Sequence, residues 1–522
     1  MHMLRDEDNA GYRTVIRNTL AFDPEILKRY VDFMSNPDER TAVDQFGDGD
    51  KYFGVATVLA TLPGLPMFGH GQVEGFAERY GMEFRRARLE EHPNQGLVER
   101  HEHEIFPLLH QRALFAEARD FALFDLVTAD GSVNEDVYAY TNAADGRHSL
   151  VVYHNRYAEA RGHIRACVPS MRPVDGGERA SVSWTLAEAL ALPAEPGAFV
   201  VLRDIRSGME WLHDCRALHE LGLELDLRAY ECRVFIDPVI RWDSPDGDLA
   251  RLAWQLGGRP VPSVDEALDA MVSAPLRDGV AALIDAEAFR RIAGSALARD
   301  ASAAAQMLTG EAALAADRMA RLAEVDGHAG PQASVLAELD ARLRALTALV
   351  RLGRGREAHP AAQRVGRWLG TDRARWATIL GWMYADAART LLEVAPVTEG
   401  WSQKRGVDAA LHRAALGLGV SDEEAQRAVE VARGLLAAPD APFASSDVRA
   451  ATGWHPWEDA AYVQREAFED FVDALIARDV TLAAARGEGP EALGVLMEVL
   501  EGWREAVGSA GWRVGSVDEE AG

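Results

Sequence analysis

The sequence predicts a multidomain protein in three parts: a short segment mixing helices with brief strands, an all-β antiparallel sandwich, and a large α-helical region. Three observations carry this. The first 116 residues hold helix-spaced apolar runs around two very short strand-like runs. From about Phe121 the apolar period changes to two. Beyond Trp242 strand signals nearly vanish and Ala, Leu, Arg and Glu dominate. The expected divisions are 1–116, 117–242 and 243–513, with a short, acidic, frayed tail at 514–522. A chain of 522 residues has room for two to four domains with ample core.

In the first part, Asp23 before Pro24 and Glu25 marks a helix start, with Asp as the cap and Pro where its missing N–H costs nothing. Residues 30–35 read as a strand ending where Pro37 pushes Asn36 out of the helical region. Residues 53–61 read as a buried helix, Pro63, Gly64 and Pro66 as the turn after it, and 67–68 as a strand too short to stand alone. In 98–115, Ile105, Leu108, Leu109 and Leu114 fall at helical spacing, and Pro107 should kink or restart that helix.

The second part alternates at 121–128, 137–141, 149–155, 198–205, 209–213, 223–227 and 231–236. Asp130-Gly131, Asp145-Gly146 and the run Arg206, Ser207, Gly208 supply turns between several of these. Seven short strands so spaced argue an antiparallel sandwich. The third part gives helical runs at 264–274, 276–296, 299–324, 333–352, 360–391, 408–417, 422–437, 459–478 and 488–508. Ser263 with Glu266, and Ser421 with Glu424, look like capping boxes. Breaks fall at 327–331, 438–442 and 487–490. No fixed repeat is visible, so the reading is an irregular bundle. Trp368, Trp376, Trp382, Trp454, Trp457 and Trp503 lie there. Core packing is favoured over sugar stacking, except that Gly453 and Pro456 place Trp454 and Trp457 in a loop.

The run from Tyr30 to Arg40, ending in Asn36, Pro37 and Asp38, and the run from Leu62 through His70, Gln72 and Glu74 to Gly75, together resemble strand seven, helix seven and strand eight of the α-amylase barrel, glycoside hydrolase family 13. The resemblance covers residues 1–240 and is specific at 30–40 and 52–76. It implies that the first part is the C-terminal remnant of a (β/α)8 TIM barrel followed by the family's sandwich. It implies retaining chemistry on an α-glucan, in which a nucleophile and an acid roughly 5–5.5 Å apart do the cleavage. By position Asp38 matches the third carboxylate, the transition-state stabiliser, and Asn36 the Asn that precedes it. His70, Gln72 and Glu74 match substrate-binding positions, the last two only with one residue inserted. The family's His between Asn and Asp is Pro37 here, which has no donor for a hydroxyl. A neighbour replaces that contact, or the branch handles substrate differently, or it has lost catalysis. Asp38 also reads as a simple cap of the loop after a strand, and His70 equally as loop scenery.

Only 29 residues precede Tyr30, too few for six strands and five helices. The chain is therefore expected to lack the nucleophile and general acid and to be inactive alone, Met1 being read as a start inside a longer frame. The alternative is a non-catalytic α-glucan-binding or interaction module that completes its barrel with a separate N-terminal half, since unpaired strand edges invite association. A net charge of −27 argues against nucleic acid and anionic membranes as partners, and leaves α-glucan or oligosaccharide compatible. Cys167, Cys215 and Cys232 are too scattered for a disulfide framework or a zinc site, and no cofactor is expected. His101, His103, Glu104 and His110 invite a metal reading. His103 and His110 would stand roughly 10–11 Å apart along an unbroken helix, so a solvated helix face is preferred. The charged first residues are no signal peptide, which points to the cytoplasm.

Overall fold

The computed structural model describes residues 2–516 except 80–85, 174–177, 299, 327–331, 356, 393–399, 438–442 and 444. The chain divides into two compact units, residues 1–272 and 273–522.

The first unit opens with helices His2–Arg5 and Asn9–Phe22 and a short 3-10 turn Pro24–Arg29, whose Glu25 N–H donates to the Asp23 carboxylate. Strand β1 (Val31–Phe33) and strand β2 (Leu65–Met67) then pair in parallel, Val31 opposite Leu65 and Phe33 opposite Met67. Helix Asp50–Thr61 connects them. The two parallel strands and the helix that crosses between them form one β-α-β unit. That helix is buried on every side from Tyr52 to Thr61. It has no polar face to place: Thr57 and Thr61 return their hydroxyls to the carbonyls of Phe53 and Thr57, at 2.8 and 2.7 Å. Gly54 lets the ring of Tyr153 approach, because a Cβ there would lie 1.9 Å from a ring carbon.

The next helix, Gln95–Arg100, widens into one π turn at His101–Ile105 and resumes at Phe106–His110. Pro107 cannot donate to the turn before it, and the wide turn absorbs the defect. Arg112 then donates to the carbonyls of Ala60 and Leu62, at 3.0 and 2.9 Å, and to that of Gly64. One guanidinium thereby satisfies the end of the buried helix and the turn into β2, where Gly64 has φ +119.

Eleven antiparallel strands follow: β3 (Ala122–Val127), β4 (Val133–Ala144), β5 (Arg147–His154), β6 (Ala160–Ile164), β7 (Ser170–Pro173), β8 (Arg179–Val182), β9 (Ala198–Arg203), β10 (Glu210–Asp214), β11 (Leu223–Leu227), β12 (Cys232–Ile236) and β13 (Val239–Trp242). Six form a sheet in the order β11-β6-β3-β4-β5-β12, three a sheet β10-β9-β13, and β7-β8 a separate hairpin. Val200 and Leu202 face the core between the sheets. Phe199, Val201 and Leu212 face the other way, onto Leu249 and Leu252 of helix Asp248–Leu256 and onto Val264. Residues 243–272 therefore belong to the first unit, whereas the sequence reading begins its helical region at 243.

The second unit is helical. Helix Val264–Leu283, which starts before the division, runs through Pro275, where two helices were expected. Ala286–Leu297, Ala301–Asp326, Gln332–Leu352, Pro360–Leu369, Arg373–Leu391, Val407–Gly417, Asp422–Ala437, Arg465–Ala485 and Pro490–Ser509 are its longer elements. The expected run at 360–391 breaks at Gly370, and Asp372 caps the restart by accepting from the Arg375 N–H at 3.1 Å. Both capping boxes place their Ser hydroxyl on the third N–H, at Glu266 and at Glu424. Trp368, Trp376 and Trp382 are core residues. Trp457 is not in a loop: β14 (His455–Trp457), β15 (Ala460–Tyr462) and β16 (Arg513–Ser516) form a small sheet. Residues 514–516 are thus paired rather than frayed, while 517–522 and the breaks at 327–331 and 438–442 lie outside the described residues.

Candidate functional site

Parallel strands send their following loops out at the same end, and in α/β arrangements that carboxyl end is where ligands bind. The loops after β1 and β2 carry all five candidate residues. After β1, Met34 and Ser35 turn inward. The Asn36 side-chain oxygen then accepts the Asp38 N–H at 2.9 Å, and the Asn36 carbonyl accepts that of Glu39 at 3.2 Å. Asn36 therefore makes the turn, as short polar side chains do. Asp38 caps nothing: its carbonyl accepts from Arg79, and its exposed carboxylate has no partner among the described residues.

After β2, exposed His70 lies 6.3 Å from Phe76, ring centre to ring centre. Gln72 is buried. Its amide oxygen accepts from the Gly69 N–H at 3.0 Å and from the Ser35 hydroxyl at 3.4 Å, and its carbonyl accepts from the Tyr52 hydroxyl at 2.9 Å. Gln72 thus ties the β2 loop to the end of β1 and to the helix between them, leaving little of itself for a ligand. Glu74 is half-buried and its carbonyl holds the Asn94 N–H at 2.8 Å.

Beneath these loops the solvated-face reading of 101–104 fails in part. His103 and His110 are exposed, but His101 is fully buried, with Nδ1 2.9 Å from the Leu97 carbonyl and Nε2 3.2 Å from the Tyr52 hydroxyl. Burial lowers its pKa and raises that of Tyr52, so both stay neutral and brace the loop without adding charge. Burial works against ionisation of Glu104, yet Arg100 and Arg206 hold it below the usual carboxylate range. Positions 101 and 103 lie about 200° apart around any helix, so His101 turns inward while His103 faces water.

One carboxylate escaped the sequence reading. Asp32, in the middle of β1, faces a small cavity of about 80 Å³ with Tyr12, Leu27 and Leu62. Burial pushes its pKa up to about 6, against positive charge that includes Arg112. Among the described residues no three His, Cys, Asp or Glu side chains are placed to hold a metal ion, and Cys167, Cys215 and Cys232 are free and buried. No helix among them is long and apolar enough to cross a membrane.

No family model matches the sequence, and no curated protein matches it. Solved α-amylase-type structures match part of the chain at low similarity. The Nostoc punctiforme debranching enzyme in its native form is 16% identical, covers 43% of this chain and 39% of its own, and has a TM-score of 0.29. The Geobacillus thermoleovorans α-amylase, complexed with acarbose, is 13% identical over 42% of this chain and 40% of its own, with a TM-score of 0.27. A maltogenic α-amylase of Thermotoga neapolitana is 12% identical over 41% and 40%, with a TM-score of 0.21. The chain thus spans about two fifths of the length of these structures.

Proposed function

We propose that the chain is an α-amylase-like protein of α-glucan recognition, in which the β1–helix–β2 unit forms the substrate-holding side of a sugar site. The observation that carries this is the common exit of both loops at the carboxyl end of a parallel pair, with the Asp38 carboxylate exposed and unpartnered there. In this reading Asp38 holds sugar hydroxyls and favours the flattened ring, His70 and Glu74 add contacts, and Asn36 and Gln72 shape the loops. Neither β1 nor β2 presents the two carboxylates that cleavage needs, so this polypeptide by itself holds glucan without hydrolysing it. Calorimetric titration with maltoheptaose, beside a reducing-sugar assay, tests the proposal. Binding without sugar release, weakened about tenfold in Asp38→Ala, is expected. Undiminished binding by that variant, or glucan cleavage by the chain, overturns it.

A second reading rests on the strand pair itself. Val31 and Leu65, opposite one another in register, are 47% and 61% exposed, and no third strand joins the pair among the described residues. Strands of another polypeptide laid along this pair would cover both and complete a barrel.

A further inference from the structure

The sandwich does not close. Strand β10 ends the three-stranded sheet and β11 ends the six-stranded one, and between these two edges lies a cleft of about 1650 Å³. Its walls come from β10, β11, β12 and the loop at 257–260. Trp211 and His213 are alternate residues of β10 and so share a face, in register with Leu202 and Val200 of the core side. Trp211 meets Phe235 edge-on, with ring centres 5.4 Å apart and planes at 85°, and the Arg233 guanidinium carbon lies 5.2 Å from the centre of its ring.

The polar groups of this wall separate into satisfied and unsatisfied ones. Arg206 pairs with Glu104, Arg233 with Glu231, and Arg161 with Glu224. Neither the Trp211 indole N–H nor a ring nitrogen of His213 has a protein partner among the described residues, and none of these atoms is sealed off from the cleft. Burial holds the His213 pKa down, to about 4, so near neutral pH the ring offers one donor and one acceptor and no charge.

These features select a ligand class. Carboxylates outnumber guanidinium groups on the lining, which disfavours a phosphate-rich or otherwise polyanionic ligand. A purely apolar ligand would leave the indole N–H and the imidazole unpaired in a desolvated place, at a cost. An aromatic side chain beside neutral donors, acceptors and paired charges suits a molecule with apolar faces and many uncharged hydroxyls. We infer that the cleft between β10 and β11 binds an oligosaccharide, with Trp211 packing on a sugar ring and His213 bonding its hydroxyls. The choice of a glucan as probe rests on the function proposed above; the cleft is a separate site from the loops of β1 and β2.

The full chain, labelled with 5-fluorotryptophan, is titrated with maltoheptaose and followed by fluorine NMR, with Trp211→Phe identifying the Trp211 resonance. The Trp211 signal should move saturably, and His213→Ala should weaken that response about tenfold. His213→Gln, which keeps hydrogen-bonding groups, should weaken it less, and circular dichroism should show both variants folded. In Asp38→Ala the Trp211 response should persist, so a failure of the loop site and a failure of the cleft give different results. A Trp211 signal unmoved by maltoheptaose, or moved equally by glycerol at matched hydroxyl concentration, overturns the inference. So does a response in folded His213→Ala equal to that of the unaltered chain.

Discussion

The two compact units differ in how their charges pair along the chain. In the first, fully buried Arg13 donates to Glu135 at 2.7 Å, to the carbonyls of Val137 and Phe124 at 2.5 and 3.1 Å, and to Asp125. Asn9 and Asn155 bond each other across a still longer stretch of sequence, and Tyr138 donates to Asn9. These contacts join the opening helix to strands more than a hundred positions away. In the second, several ion pairs are one helical turn long, such as Arg321 with Asp317, Arg344 with Asp340 and Arg465 with Glu469, on the surfaces of helices whose apolar sides supply the core. Asp386, which receives both Arg342 and Arg389, is among the cross-helix exceptions. A few long-range polar anchors therefore hold the first unit's opening helix, and local periodicity organises much of the second.

The sharpest way to break this comparison is Arg13→Ala. Between β3 and β4 the register shifts at Phe124–Leu126, and the arginine fills the polar gap so produced. Its removal leaves Asp125 and Glu135 paired with Arg17 and takes a donor from the carbonyls of Phe124 and Val137. The expected cost is about 3–5 kcal/mol, the range for removing one partner of a buried pair. Hydrogen exchange read by mass spectrometry should show β3 to β5 opening faster, with amides of the second unit unchanged. Equal acceleration in both units would contradict the contrast.

The same contrast explains what was legible beforehand. Strand β11, with Leu at 223, 225 and 227 and acids between, announces itself by alternation and lies where the sequence places it. Strand β6 does not: Arg161, Gly162 and His163 interrupt the pattern, and Gly162 is there because a Cβ would lie 2.5 Å from the Val127 carbonyl. The hairpin β7–β8 and strand β13, four residues each, are likewise too short to read. At the candidate site, Asn36, Asp38, His70, Gln72 and Glu74 do emerge at one end of a parallel pair. That Gln72 is buried is a tertiary fact, as is the inward turn of His101. Trp211 and His213 look like ordinary strand residues until β10 and β11 prove to be edges.

A smaller effect separates half-buried carboxylates by their surroundings. Asp125 and Glu135 face arginines, whereas Asp32 is held in an apolar pocket with its pKa raised to about 6. A raised acid pKa means the native state holds its proton more tightly than the unfolded chain, so stability falls as pH rises from about 4 to about 6. Asp32→Asn removes that dependence. Urea unfolding should find the variant more stable at pH 7 by about 1–2 kcal/mol, the shift being discounted for partial exposure, and little different at pH 3. A variant less stable at pH 7 would show that the ionised carboxylate has a partner that outweighs its burial.

The smallest expected effect is the most demanding test of the contrast. Arg321 and Asp317 stand four residues apart on helix Ala301–Asp326, with side chains 73% and 59% exposed. Water solvates both ends of such a pair and salt screens it, so Arg321→Ala should cost about 0.5 kcal/mol or less. Its effect should shrink further in 1 M salt, while that of Arg13→Ala should persist because the Arg13 side chain is itself fully buried. If Arg321→Ala destabilised its helix as much as Arg13→Ala opens β3 to β5, surface pairing rather than the apolar sides of the helices would be holding the second unit. The division between long-range anchors and local periodicity would then fall, and the helical unit would have to be read as a charge network in which Asp386 is typical rather than exceptional.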